Sequence, residues 1–119
     1  MYSYRDLDVY KNAKKLVKEV YALLSTYPKK EQFALCDQLR RAVTSVPINI
    51  AEGLGRFSMK EQSYFLEIAY GSLAEVQCEL DLSCDLGYIT IDNLTQMEGD
   101  IAVVMKQLYN LRKKIKEKQ

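Results

Sequence analysis

The sequence predicts an all-α protein, an up-down-up-down antiparallel four-helix bundle that occupies residues 1–119 as a single domain. Three observations lead there. Apolar residues recur at spacings of three and four in four separate stretches, the period of a helix with one buried face. The segments between those stretches are short, which makes helices that follow one another in sequence antiparallel neighbours. Only two prolines and five glycines occur in 119 residues, few for a β protein with many turns. A chain of this length suits one domain and buries enough surface for one core without disulfide or metal staples.

The first helix is expected from Asp6 or Asp8 to Tyr27. Val9, Ala13, Leu16, Val20, Leu23 and Tyr27 alternate at spacings of four and three, and Val17, Tyr21 and Leu24 widen the stripe. Lys11, Lys14, Lys15 and Lys18 share the opposite arc. Pro28 ends the helix, because the residue before a proline disfavours the α region.

The second helix is expected to begin near Lys30 and to carry Phe33, Leu35, Cys36, Leu39, Val43, Val46, Ile50 and Leu54 inward. Pro47 falls in mid-pattern, where it removes a backbone donor and costs roughly 3 kcal/mol in a helix interior. The apolar phase survives the proline, so the expectation is a helix kinked near Pro47 and not broken there. Gly53 and Gly55 are expected to end it.

Ser58-Met59-Lys60-Glu61 fits the S-x-x-E capping box at the start of a third helix. Its expected core arc is Phe65, Ala69, Ser72, Leu73, Val76 and Leu80, and Gly87 is the expected left-handed C-terminal cap. The fourth helix is expected from about Thr90, with Asp92 in its first turn. Leu94, Met97, Ile101, Val104, Leu108, Leu111 and Ile115 form a short heptad seam. Lysines close the chain at the negative end of the helix dipole.

Charged residues make up 28% of the chain and hydrophobic ones 48%, a globular and not a disordered composition. No stretch of about 18 apolar residues occurs, so neither a signal peptide nor a membrane span is expected. Cys36, Cys78 and Cys84 have no paired spacing and the chain has no histidine. The expectation is three reduced thiols in a cytoplasmic protein, with no metal. The formal net charge of +1 conceals uneven blocks: +5 over residues 1–60, −9 over 61–105 without a single cation, and +5 over 106–119.

Little in the sequence points to catalysis. Neither cysteine nor serine has a base at helical spacing, as nucleophilic catalysis requires. Gly53-Leu54-Gly55 lacks the G-K-[ST] and the preceding strand of a phosphate loop. Glu75 with Glu79, and Asp81 with Asp85, stand at i,i+4 but lack the histidines of di-metal bundles, so they read as a solvated acidic face. No enzyme activity, cofactor or small-molecule substrate is expected.

Two non-catalytic features remain. In this topology the chain start, the turn between helices 2 and 3 and the chain end meet at one pole. Arg5, Arg56, Lys60, Arg112, Lys113, Lys114, Lys116 and Lys118 would gather there, either to bind phosphates or for solubility and dipole complementation alone. On the back of helix 3, Gly71, Ala74 and Cys78 lie away from the core arc, flanked by Ile68, Leu82 and Leu86. Small residues beside apolar ones read either as an oligomer interface or as scatter on a helix surface.

Ordered matches run along most of the chain. They include Leu7-Asp8-Val9-Tyr10, Val20-Tyr21-Ala22-Leu23 and Tyr27-Pro28, then Leu39-Arg40-Arg41-Ala42-Val43, Ser45-Val46-Pro47 and Asn49-Ile50-Ala51-Glu52-Gly53. Phe65-Leu66, Ile68-Ala69 and Gly71-Ser72-Leu73-Ala74-Glu75 complete them. On these residues the chain resembles the four-helix-bundle proteins encoded within intervening sequences of bacterial 23S ribosomal RNA genes. It is similar also to the accessory protein of diversity-generating retroelements, which implies a ring-shaped homopentamer in contact with nucleic acid and a reverse transcriptase. In the shared signature Arg40, Arg41, Pro47, Asn49, Glu52 and Gly53 are expected to be structural. One of the two arginines should pair with a carboxylate, either Glu52 or an acid of helix 3, while Asn49 and Glu52 hold the backbone or a subunit contact. The expected function is a homo-oligomeric module that binds RNA or a nucleic-acid-handling protein. Its rival is a structural adaptor ring that docks a protein without nucleic acid.

Overall fold

A computed structural model describes residues 3–118 and shows four long helices without a strand among those residues. They are α1 (Asp8–Leu24), α2 (Leu35–Leu54), α3 (Met59–Asp85) and α4 (Ile91–Glu117), with single 3₁₀ turns at Tyr4–Asp6 and Lys29–Glu31. Residues 1, 2 and 119 of the expected domain lie outside the described residues. Helix α1 packs on α2 and α4, and α3 packs on α2 and α4, while the backbones of the diagonal pairs stay more than 8 Å apart between Cα atoms. The helices therefore stand at the corners of a square. Asn12 meets Gln107, and Glu19 faces Asp100, so α1 and α4 run antiparallel. Ser45 meets Ser72, and Gly53 meets Phe65, so α2 and α3 do too.

The expected stripes form the core. Val9, Ala13, Leu16 and Val20 of α1 and Met97, Ile101, Val104, Leu108 and Ile115 of α4 are buried. They close on Leu39, Val43, Val46 and Ile50 of α2 and on Leu66, Ala69, Leu73, Val76 and Leu80 of α3. Helix α2 is continuous through Pro47, whose ring is itself buried.

The structure corrects several expectations at the edges of the elements. Helix α1 stops at Leu24, and Tyr27 is buried in the following turn against the Tyr88 ring, with centroids 5.4 Å apart. Helix α2 starts at Leu35 and not near Lys30, and Phe33, expected inside, is 91% exposed. Gln32 is the reason: its side-chain amide reaches back to the carbonyls of Leu24 and Tyr27 at 3.4 and 3.3 Å. That contact ties the start of the connection to the end of α1 and the turn behind it, and residues 29–34 stay out of helical register with α2. Tyr21, expected to widen the α1 stripe, is 46% exposed.

On α3 the buried arc is rotated from the expected one. Phe65 and Ser72 are only half-buried, whereas Ser63, Glu79 and Ser83 join the core. Glu79 thus contradicts the expected solvated acidic face. Its Oε1 is buried without a hydrogen-bond partner, and burial, with Glu75 nearby, pushes its carboxyl up to about 7.

The caps follow local chemistry. Ser58 Oγ accepts from the Glu61 amide at 3.0 Å. A fully reciprocal box instead opens α4, where Thr90 Oγ1 accepts from the Asn93 amide and Asn93 Oδ1 accepts from the Thr90 amide. Gly87 is left-handed, with φ 79°. Its amide bonds the Cys84 carbonyl while that of Tyr88 bonds the Ser83 carbonyl, the paired bonds of a Schellman ending.

Candidate nucleic-acid interface

The turn between α2 and α3 is shaped by close approach. A Cβ on Gly53 would lie 2.8 Å from Phe65 Cβ and 3.2 Å from the Gln62 carbonyl oxygen. Gly53 therefore lies inside the helix and lets α3 pass close by, and the helix ends two residues later at Gly55. The chain then turns through Arg56, Phe57 and Ser58. Arg56 lies over the Phe65 ring at 4.5 Å and pairs with Glu52 at 3.1 Å. Phe57 is wholly exposed.

Arg112, expected to be a free cation, instead fastens α4 to α3. Its Nε donates to Ser63 Oγ at 3.0 Å and its Nη2 to Glu67 Oε2 at 3.2 Å. Two of the eight predicted cations therefore already face carboxylates. Arg5 is exposed on the first 3₁₀ turn, 5.8 Å from the Tyr4 ring. Lys60, Lys113, Lys114, Lys116 and Lys118 are exposed and take part in none of the ion pairs among the described residues.

The last turns of α4 carry a shallow groove of about 400 Å3, lined by Tyr109, Arg112, Lys113, Lys116 and Glu117. Tyr109, 62% exposed, and Arg112 also line a second groove, which runs between α3 and α4 over Leu66, Glu67, Tyr70 and Leu108. Cations and accessible aromatic faces thus form one continuous strip. Lysines attract phosphates, and exposed rings stack bases. The expected set holds the cations of this strip and none of its rings. Tyr109 follows core residue Leu108, so it points about 100° away from the seam. That position off the stripe was the available signal.

The signature residues all lie on α2, most of them in local contacts. Arg40 donates to Asp37 Oδ1 at 2.7 Å and also to the Gln32 carbonyl. Its carboxylate partner is therefore three residues away in its own helix, and neither Glu52 nor an acid of α3. Arg41 is exposed. Asn49 Nδ2 donates to both the carbonyl and the hydroxyl oxygen of Ser45 at 2.8 Å, beside Pro47, and Ser45 Oγ lies 2.8 Å from Ser72 Oγ. Glu52 binds Arg56.

On the back of α3, Gly71, Ala74, Cys78 and Leu82 are exposed and Ile68 is half-exposed. Nothing lies within 4 Å of a Cβ built on Gly71. The three cysteines are unpaired thiols, with Cys36 buried. Among the described residues no group of acids and cysteines is placed to hold a metal ion, and no helix is long and apolar enough to cross a membrane.

No curated protein matches the chain. The fold is similar to the crystal structure of a protein of unknown function from the S23 ribosomal protein family of Bacteroides thetaiotaomicron VPI-5482. The two share 23% sequence identity with a TM-score of 0.79, over 88% of this chain and 98% of that one. The family model of the 23S rRNA-intervening sequence protein matches residues 5–110, the whole bundle apart from the first few residues and the last turns of α4. The chain belongs to the 23S rRNA-intervening sequence protein family.

Proposed function

We propose that the protein is a non-enzymatic, cytoplasmic, homo-oligomeric module that binds single-stranded RNA, alone or within a nucleoprotein, along the strip at the end of α4. The observation that carries this reading is the groove in which Tyr109 stands among Arg112, Lys113 and Lys116. Rings and cations interleaved in this way suit a strand whose bases stack while its phosphates meet lysines. Such contacts position a strand without reading its sequence. Five copies is the number implied by the resemblance to the retroelement accessory protein. A ring would bring several strips to one side and add their fields, which compensates for a net charge of only +1 per chain.

Titration of a labelled single-stranded RNA at two salt concentrations tests the proposal. Four or five neutralised phosphates give a logarithmic salt slope of about −3 to −3.5 on a single strand. Replacing Lys113, Lys114, Lys116 and Lys118 by glutamine should flatten that slope with helicity retained. Arg112 stays in place because it joins α4 to α3. Tyr109→Ala should weaken binding by roughly 1–3 kcal/mol, the worth of one stacked base, and leave the slope unchanged. Absence of binding at about 50 mM salt, where phosphate contacts are strong, would exclude this function and leave the protein-docking adaptor.

A further inference from the structure

An apolar groove of about 590 Å3 runs along the outer side of α1 and α2, away from the basic strip. Its floor is Val17, Pro47, Ile48 and Ala51, and Tyr4 and Tyr10 close one end. Ile48 is 57% exposed, although the core-facing residues around it in α2, Val46 and Ile50, are fully buried. Lys14 and Lys18 form the rim on α1. The one acid in the lining is Glu52, which Arg56 already neutralises. Such a lining is complementary to an apolar helix that carries negative charge.

The chain itself supplies such a helix. From residue 61 to 105 there is no lysine or arginine. The outer face of α3 displays Leu82, with Leu86 at its C-terminal cap, among Glu75, Asp81 and Asp85, all exposed. Exposed Gly71, Ala74 and Cys78 on the same face let another backbone approach closely. We propose that the α3 ridge of one copy docks in the α1–α2 groove of the next, head to tail.

The inference rests on the reading that the protein is a homo-oligomer, and it adds which surface meets which. The groove lies on the α1–α2 side of the square and the ridge on the corner held by α3, so one copy uses two different surfaces. Such an interface is heterologous, and it generates a ring when the rotation between copies closes. The charges fix its polarity, because two grooves would set lysines against lysines and two ridges would set acids against acids.

The test uses two full-length variants, one for each surface. Ile48→Glu places a charge in the groove and Leu82→Glu removes an apolar knob from the ridge. Both positions are exposed, and each change adds an acid, so neither variant compensates the other. Light scattering should show wild type as an oligomer and each variant alone as a monomer with unchanged helicity. An equimolar mixture should form a one-to-one dimer in native mass spectrometry, because one groove and one ridge remain intact. Two monomers that fail to pair on mixing would overturn the head-to-tail contact, as would an Ile48→Glu oligomer of wild-type mass. A wild-type monomer at every concentration would instead remove the oligomer reading itself. Should Ile48→Glu fold poorly, the doubly substituted Lys14→Glu, Lys18→Glu protein asks the same question from the exposed rim, and retention of wild-type mass there would equally overturn the proposal.

Discussion

The contact between α2 and α3 and the contact between α1 and α4 use opposite means to join antiparallel helices. Between α2 and α3 small residues bring the backbones together. Gly53 leaves no room for a Cβ beside Phe65, and two serine hydroxyls meet at 2.8 Å. Between α1 and α4 the edge of the contact is polar and long-limbed. Asn12 reaches Gln107 at 3.1 Å, and Glu19 faces Asp100. A close contact between small groups transmits any added volume to the backbone, whereas long side chains at a half-buried edge rearrange and hydrate. The α2–α3 pair should therefore be intolerant of substitution and the α1–α4 pair forgiving.

The largest effect is expected at Gly53. Gly53→Leu must displace the Phe65 Cβ and the Gln62 carbonyl, neither of which is the free end of a flexible chain. We expect a loss of about 3 kcal/mol, the upper end of overpacking costs, read as a lower midpoint in urea. Gly99 of α4 provides the internal comparison, since nothing lies within 4 Å of a Cβ built there. Gly99→Ala should stabilise by up to about 1 kcal/mol through helix propensity alone. Equal effects at the two glycines would show that close approach is not what distinguishes the two helix pairs.

Next comes a pH effect. Glu79 follows Phe65 and Ser72 at intervals of seven and so lies on the flank of α3 that faces α2. Its folded carboxyl is pushed up to about 7 by burial and then by Glu75, against an ordinary value of 4.5. Between those two values the folded protein holds the proton more tightly than the unfolded chain. Stability is therefore fully present below about pH 4.5 and falls as pH rises toward 7, beyond which this contribution stays lost. At one pKa unit per 1.4 kcal/mol, the expected difference is roughly 1–3 kcal/mol between pH 5.5 and pH 8. Glu79→Gln should melt higher than wild type at pH 8 and show a flatter pH profile. Glu19, raised to about 7 by burial and then by Asp100, supplies the remaining slope from the α1–α4 side. If Glu79→Gln left the profile untouched, the dependence would belong to α1–α4 alone.

These differences also mark what the sequence revealed. The α4 seam was legible because its heptad repeats without interruption from Leu94 to Ile115, and the C-terminal glycine of α3 because only its left-handed φ fits the turn. The α1–α2 connection was not. Phe33 stands three residues before buried Cys36, a spacing that one helix face allows, yet the Gln32 side chain bonds carbonyls five and eight residues back and that stretch stays out of α2. At the candidate interface the cations were legible as composition. Their pairing was not, since Arg112 finds Ser63 and Glu67 at separations of 49 and 45 residues. In the sequence Gly53 looks like a helix stop, because its neighbour Phe65 comes beside it only once α3 folds back.

The smallest effect should come from the polar edge of α1–α4. Asn12→Ala removes a half-buried hydrogen bond to Gln107, whose net worth is about 0.5–1.5 kcal/mol. Gln107 is itself only half-buried, so its freed oxygen turns to water. Alanine also recovers roughly half a kcal/mol of helix propensity relative to asparagine. The two nearly cancel, and thermal unfolding should change by less than about 0.5 kcal/mol. Ser45→Ala on α2 removes more at once. It takes away the hydroxyl that meets both Ser72 and Asn49 where the two backbones run close, and it should cost about 1 kcal/mol or more. Double-mutant cycles separate the pairs directly, with coupling for Ser45–Ser72 above that for Asn12–Gln107. Equal couplings would mean that the polar edge is as tightly coupled as the serine contact, and that close approach gives α2–α3 no special sensitivity.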